Sequence, residues 1–172
     1  DLLGCGYQYW ALGHVHTRQA LADDPPIHFP GNLQGRNIRE TGPKGCLLVT
    51  TVDGHSAEVE ERDFDLVRWE LCEVACEDAP DAQAVIEEIW KALERLLDRC
   101  PAELLATRVV VETNADVSEA MLGAAEHWTN QARGLATDVG RGRIWLEKLK
   151  VEAPPPTLQK DMGPAADDTA IA

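Results

Sequence analysis

Cations are scarce in this sequence: 16 Lys and Arg stand against 30 Asp and Glu in 172 residues, a formal net charge of −14. That shortage argues against a free-standing nucleic-acid binder, which carries a basic footprint. It leaves room for a metal-dependent nuclease, where divalent ions hold phosphate in place of Lys and Arg. Long apolar runs are also missing. None approaches the ~20 residues of a membrane span, and no stretch has the layout of a signal peptide. The expected surroundings are therefore cytoplasmic, without membrane contact. Disulfide spacing is absent as well. Cys5, Cys46, Cys72, Cys76 and Cys100 are odd in number and none is spaced as a zinc pair, which suits buried thiols in a reducing compartment. No internal repeat is visible. What is left is 44% hydrophobic residues, a core for one domain, or for one small domain plus part of another.

The stretch around which the chain is organised is Tyr9-Trp10-Ala11-Leu12-Gly13-His14-Val15-His16. An apolar run ending in Gly reads as a strand, at about residues 8–12, that stops at a tight turn. Two imidazoles at i and i+2 just past a strand end can point into one cleft, and neutral imidazole ligates Zn, Mn and Fe. The competing reading is a pair of solvated turn histidines. Residues 18–24 are polar and end in the loop signal Asp23-Asp24-Pro25-Pro26. Ile27-His28-Phe29 is a short strand stopped by Pro30-Gly31, and His28, between two apolar residues, reads as an outer-face strand residue rather than a third ligand.

Residues 31–44 are too rich in Gly, Asn, Arg and Thr to be core, and loops beside a rigid sheet often carry function. Their cations are Arg36, Arg39 and Lys44. Arg36 and Arg39 are the candidates for contacting substrate phosphate. The alternative is that one of them pairs with Glu40 and holds the loop. Residues 45–53 form a β-branched strand, Gly54-His55 a turn with an exposed histidine, and 56–62 the returning strand of a hairpin.

From about residue 65 the pattern changes. Residues 66–76 alternate as a half-buried strand that points Cys72 and Cys76 to one face. A helix over 81–99 follows, with Val85, Ile86, Ile89, Trp90, Leu93, Leu96 and Leu97 on one stripe. Residues 105–112 are a strand, 117–136 a second helix, and 143–151 a closing strand. The second helix carries Val117, Ala120, Met121, Ala124, Trp128 and Leu135 inward, with His127 and Trp128 as packing or surface residues. This β-α-β-α-β order predicts a small sheet with helices packed on it. Residues 152–172, with Pro154-Pro155-Pro156, read as a disordered tail.

Three stretches together carry a family resemblance: the Gly13-His14-Val15-His16 run, Phe29-Pro30-Gly31-Asn32-Leu33-Gln34-Gly35-Arg36, and Arg39-Glu40-Thr41-Gly42-Pro43-Lys44-Gly45. They resemble the calcineurin-like metallophosphoesterases, and within them the SbcD/YhaO-type DNA repair exonucleases. Ile144-Trp145-Leu146-Glu147-Lys148 resembles the closing strand of that group, so the likeness runs from about Tyr9 to Val151. Gly-His-x-His is specific to the superfamily, and the Pro-Gly-Asn-x-Gln-Gly-Arg stretch narrows it. The fold implied is α/β (α+β): the last strands of a two-sheet phosphoesterase core over 1–65, then a β-α-β-α-β cap domain over 66–151.

The resemblance further implies a two-metal centre, normally Mn, with His14 on one ion and His16 on the other. The family's other metal motifs precede this one, and Gly31-Asn32 is not one of them because Leu33 follows where histidine is required. The chain is therefore expected to be the C-terminal part of a longer exonuclease, with its catalytic residues upstream and no activity alone. The implied partners are DNA and an SMC-like coiled-coil ATPase of the SbcC/YhaN type, with a homodimer as a further expectation. One departure stands out: 113–119 is acidic and polar, where a DNA-contacting cap would carry cations. The competing functions are a non-catalytic cap that docks on such an ATPase, and a phosphoesterase acting on nucleotides or phosphoproteins.

Overall fold

A computed structural model describes residues 2–52 and 55–152. Asp53 and Gly54, the side chains of residues 55–57 (and with them the exposed His55 expected at a Gly54-His55 turn), and residues 153–172 of the expected tail lie outside the described residues. Among the described residues, a 3₁₀ turn at Leu2–Cys5 is followed by eight strands, arranged in three sheets, and three helices.

The first sheet is small and has the order β1-β3-β2. It comprises β1 (Trp10–Ala11), β2 (Gln19–Asp23) and β3 (Pro26–Phe29). β1 runs parallel to β3, and Leu12 N donates to His28 O at 2.8 Å just beyond the paired residues. β2 is a correction to the sequence reading, which made 18–24 a polar connection. Its side chains are mostly exposed, so no apolar face announces it; the antiparallel edge of β3 supplies the hydrogen bonds. The second sheet is the hairpin β4 (Gly45–Val52) and β5 (His55–Asp63). Gly45 has no alternative there, because a Cβ would lie 1.9 Å from Arg62 O.

The third sheet holds the main core. β6 (Val67–Cys76), β7 (Leu104–Thr113) and β8 (Ile144–Glu152) are all parallel and lie in chain order. Glu152 thus completes β8, one residue past the expected end. α1 (Ala82–Arg99) connects β6 to β7, while α2 (Ala115–Gly123) and α3 (Ala125–Gly140) connect β7 to β8. Successive crossovers of one hand put every helix on the same face, and there Val85, Ile89, Leu93 and Leu96 pack at 0% exposure against Leu105, Val109 and Val111, also at 0%. Each such side chain contributes about 1.5–3 kcal/mol. Asp81 starts α1 by accepting from Ala84 N at 2.9 Å, and Cys100, held extended before Pro101, ends it.

Two details of the helices depart from the sequence reading. Trp90 is 43% exposed, since it sits at the edge of the apolar stripe. The single second helix is two, broken at Ala124, whose ψ of 39° is not helical. The break turns the register, so Ala132 and Ala136 are buried while Ala120 and Ala124 are exposed. Gly123, at the end of α2, lowers the cost of stopping there.

Hairpin and parallel sheet meet at Asp65. Its carboxylate, fully buried, accepts from Arg68 Nε at 2.9 Å and Nη2 at 2.7 Å, and from Lys44 N at 3.2 Å. Burial alone would raise the Asp65 carboxyl, but the guanidinium and the Lys44 amide outweigh it and the net shift is downward. A depressed folded value means that this stabilisation is complete above the unfolded pKa of about 4 and fades as pH falls below it. We expect Asp65→Ala, which leaves Arg68 only the longer contact to Asp63 at 3.6 Å, to cost about 3 kcal/mol in urea unfolding at pH 7. The deficit should shrink in wild-type comparisons made below pH 4.

Candidate metal centre

The residues that sequence reasoning singled out lie on two adjoining loops, 12–18 and 30–44, at the exit of the small sheet. Gly13 leads into His14, whose φ of 91° is in the left-handed region that non-glycine residues rarely adopt. His14 and His16 are both exposed. The second loop lies against the first. Asn32 N donates to His16 O at 3.1 Å, and Gly45 N donates to Asn32 O at 3.1 Å.

Gly31 is what allows this approach. Its φ is +77°, and a Cβ there would lie 2.9 Å from Arg18 N and 3.0 Å from His16 O. Gln34 then stitches the loop to β6, where its Oε1 accepts from Leu66 N at 3.0 Å and its Nε2 donates to Val67 O at 2.5 Å. Gly35 is buried under Trp69, whose Nε1 donates to Gly35 O at 3.1 Å. Arg18 ties the histidine loop to the hairpin, with Nη1 at 2.8 Å from Glu61 Oε2 and 3.1 Å from Asp63 Oδ1.

The polar centre is the triad His16, Arg36 and Glu40. Glu40 accepts from Arg36 N at 2.9 Å, Nε at 3.3 Å and Nη2 at 2.7 Å. Its Oε1 lies 3.0 Å from His16 Nδ1. These Arg36 contacts hold the Glu40 carboxyl down to about 2, with burial opposing and His16 adding a smaller pull in the same direction. Glu40 is therefore ionised at any physiological pH.

The other singled-out residues lie outside this triad. Arg39 is exposed and borders a cleft with Asn37, Ile38, Trp69, Arg108 and Glu147. Lys44 is buried and its Nζ donates to Thr41 O at 2.6 Å, so it has no surface to offer a phosphate. His28 is half-buried rather than on an open face, stacked on Tyr9 with ring centroids 5.9 Å apart. His127 is exposed and meets Trp128 edge-on. Among the described residues, no three His, Cys, Asp or Glu side chains converge as a metal-binding group.

The donor chemistry fits a divalent cation in part. His16 has a carboxylate at one ring nitrogen, the usual outer partner of a metal-bound imidazole, and its exposure leaves Nε2 accessible. Two imidazoles remain too few for a catalytic centre, which takes at least three protein ligands. Sequence reasoning named His16, Arg36 and Glu40, but not Arg18 or Gln34, whose bonding partners lie more than 30 residues away.

Comparison with known proteins bears on the same elements. Residues 69–153 match the family model described as the middle domain of metallophosphoesterase YhaO, the span of the parallel β6-to-β8 unit. Over 116 residues the chain is 35% identical to a Bacillus subtilis (strain 168) protein described as uncharacterized metallophosphoesterase YhaO. That alignment covers 67% of this chain and 28% of the relative.

Two glycines separate close approach from backbone conformation. Gly42 also has a positive φ, of 75°, but nothing lies within 4 Å of its Cβ position. Gly42→Ala should cost about 1 kcal/mol, the left-handed penalty alone. Gly31→Ala adds the collision with the Arg18 and His16 backbone and should cost about 1–3 kcal/mol more. Chemical denaturation of both variants measures the difference.

Proposed function

We propose that this chain, which belongs to the metallophosphoesterase family, is part of a two-metal DNA exonuclease and is inactive when taken alone. The observation that carries this reading is the exposed Gly13-His14-Val15-His16 turn, braced by a loop whose sequence resembles that of the exonuclease group. His14 and His16 would each hold one divalent ion, normally Mn, in the cytoplasm. The remaining ligands, including a bridging carboxylate, would come from outside the described residues. The chemistry that such ions supply when bound is charge neutralisation of the scissile phosphate and activation of water.

This chain's own residues do the positioning. Imidazole ligands add no negative charge to repel phosphate. The loop 30–44, tied to both the hairpin and β6, keeps the histidine turn in fixed relation to the cap domain, taken as residues 66–151. Arg36 is committed to Glu40, which favours Arg39, exposed and beside the Trp69 cleft, as the phosphate contact. The acidic balance of the chain supports a metal-held rather than a cation-held DNA backbone.

The expected result is that the 172-residue chain shows no manganese-dependent degradation of linear DNA. In the full-length protein, His16→Ala should lower exonuclease turnover at least 10²-fold while leaving thermal unfolding unchanged. Manganese-dependent degradation by the isolated chain that disappears in His14→Ala would sink the proposed division of the site.

A second reading, docking on an SMC-like coiled-coil ATPase, is favoured by Trp90. It is exposed on α1 beside a groove formed with Ile86, Gln131 and Leu135. Co-purification with such an ATPase that falls at least tenfold in Trp90→Ala would support it. Undiminished co-purification would remove α1 as the docking surface.

A further inference from the structure

We propose that Glu40 is a positioning residue for His16: it fixes the neutral imidazole as the Nδ1–H tautomer, so that Nε2 presents its lone pair to a divalent cation. This rests on the reading of His16 as a metal ligand. It adds which ring nitrogen binds and what aims it.

Three atoms form a nearly equilateral triangle. His16 Nδ1 is 3.0 Å from Glu40 Oε1 and 2.9 Å from Arg36 Nη2, and the latter two are 2.7 Å apart. The two neighbours make opposite demands on the ring. A carboxylate only accepts, and so requires a proton on Nδ1; a guanidinium only donates, and so requires a lone pair there. The second arrangement puts the ring's one proton on Nε2 and closes that atom to metal.

Geometry separates the two. The N–H bonds of a planar guanidinium nitrogen diverge by about 120°, whereas Oε1 and Nδ1 lie to the same side of Nη2. Arg36 can therefore aim one proton well at only one of them. The carboxylate has the prior claim: it is the shortest side of the triangle, and Arg36 Nε points at the second carboxylate oxygen at 3.3 Å in the fork geometry. Arg36 N, at 2.9 Å from Oε2, fixes the carboxylate further. His16 Nδ1 beside Oε1 is then satisfied only as a donor.

Glu40 does more than add one bond. Without it, Arg36 becomes the neighbour of Nδ1 and imposes the opposite tautomer. Loss of such a carboxylate partner typically lowers metal affinity 10–100-fold.

The test is a long-range ¹H–¹⁵N spectrum of the histidine-labelled 172-residue chain near pH 8, where an ordinary imidazole is neutral. His16 should be mainly Nδ1–H in the wild type and in Arg36→Ala. Glu40→Ala should shift the majority to Nε2–H, and Glu40→Gln, whose amide oxygen still accepts, should restore Nδ1–H. Unchanged His28 and His127 resonances report that each variant is folded. An Nε2–H wild type, or a tautomer indifferent to Glu40→Ala, would overturn the proposal. Titration with manganese alone, on the full-length protein, gives the second readout: Glu40→Ala should weaken binding 10–100-fold. Failure of His16→Ala to weaken manganese binding would remove the metal-ligand reading, while the tautomer result would still decide the positioning role.

Discussion

Asp65 closes the joint on which the arrangement of this protein depends. Its buried carboxylate joins the backbone at the entrance of β4 to Arg68 in β6, and Lys44 O in turn accepts from Phe64 N and Asp65 N. The Lys44 end of the 30–44 loop is therefore not free to move apart from the parallel sheet. Gln34 and Trp69 hold the middle of the loop to the same strand. A histidine turn with little secondary structure of its own is thus carried by a frame built from elements on either side of it.

The same frame explains how a chain of net charge −14 tolerates its acids near the site. Arg18 neutralises Glu61 and Asp63, Arg36 neutralises Glu40, and Arg108 pairs with Glu147 through two bonds of 2.8 and 2.9 Å. These cations are spent internally. Ion pairs at the surface contribute little to stability, but they withdraw the arginines from service as phosphate contacts. On the proposed function, the acidic excess and the pairing together leave the anchoring of a phosphate to metal ions.

How much of this was legible in the sequence follows the range of the interactions involved. α1 was readable because its signals are local: an Asp cap, an uninterrupted apolar stripe and a Cys-Pro stop. β6 was readable from the alternation of residues 66–76, and β7 from its Val109-Val110-Val111 run. β2 was not, because its hydrogen bonds come from a neighbour and its side chains bury almost nothing. The break at Ala124 was missed because alanine is the strongest helix former, so nothing local announces a stop there and only packing on the sheet overrides it. In the site, His14, His16, Arg36 and Glu40 stood out as motif residues. The clamp roles of Arg18, Gln34 and Gly31 needed the fold, since each acts on backbone or side chains brought in from another element.

The two histidines are held by different means, and this bears on what each can do. His16 is fixed from both ends: its carbonyl accepts from Asn32 N, and its ring faces a carboxylate that is itself gripped by Arg36. His14 takes its direction from the backbone, through a positive φ that costs about 1–2 kcal/mol in a non-glycine residue. Such strain persists only where the surroundings over-determine it, and here the Gly31 contact with His16 O and Arg18 N closes the turn behind it. One imidazole is thus directed by a strained backbone and the other by a three-residue polar network. On the proposed reading, both devices would serve ligand direction at the expense of local stability.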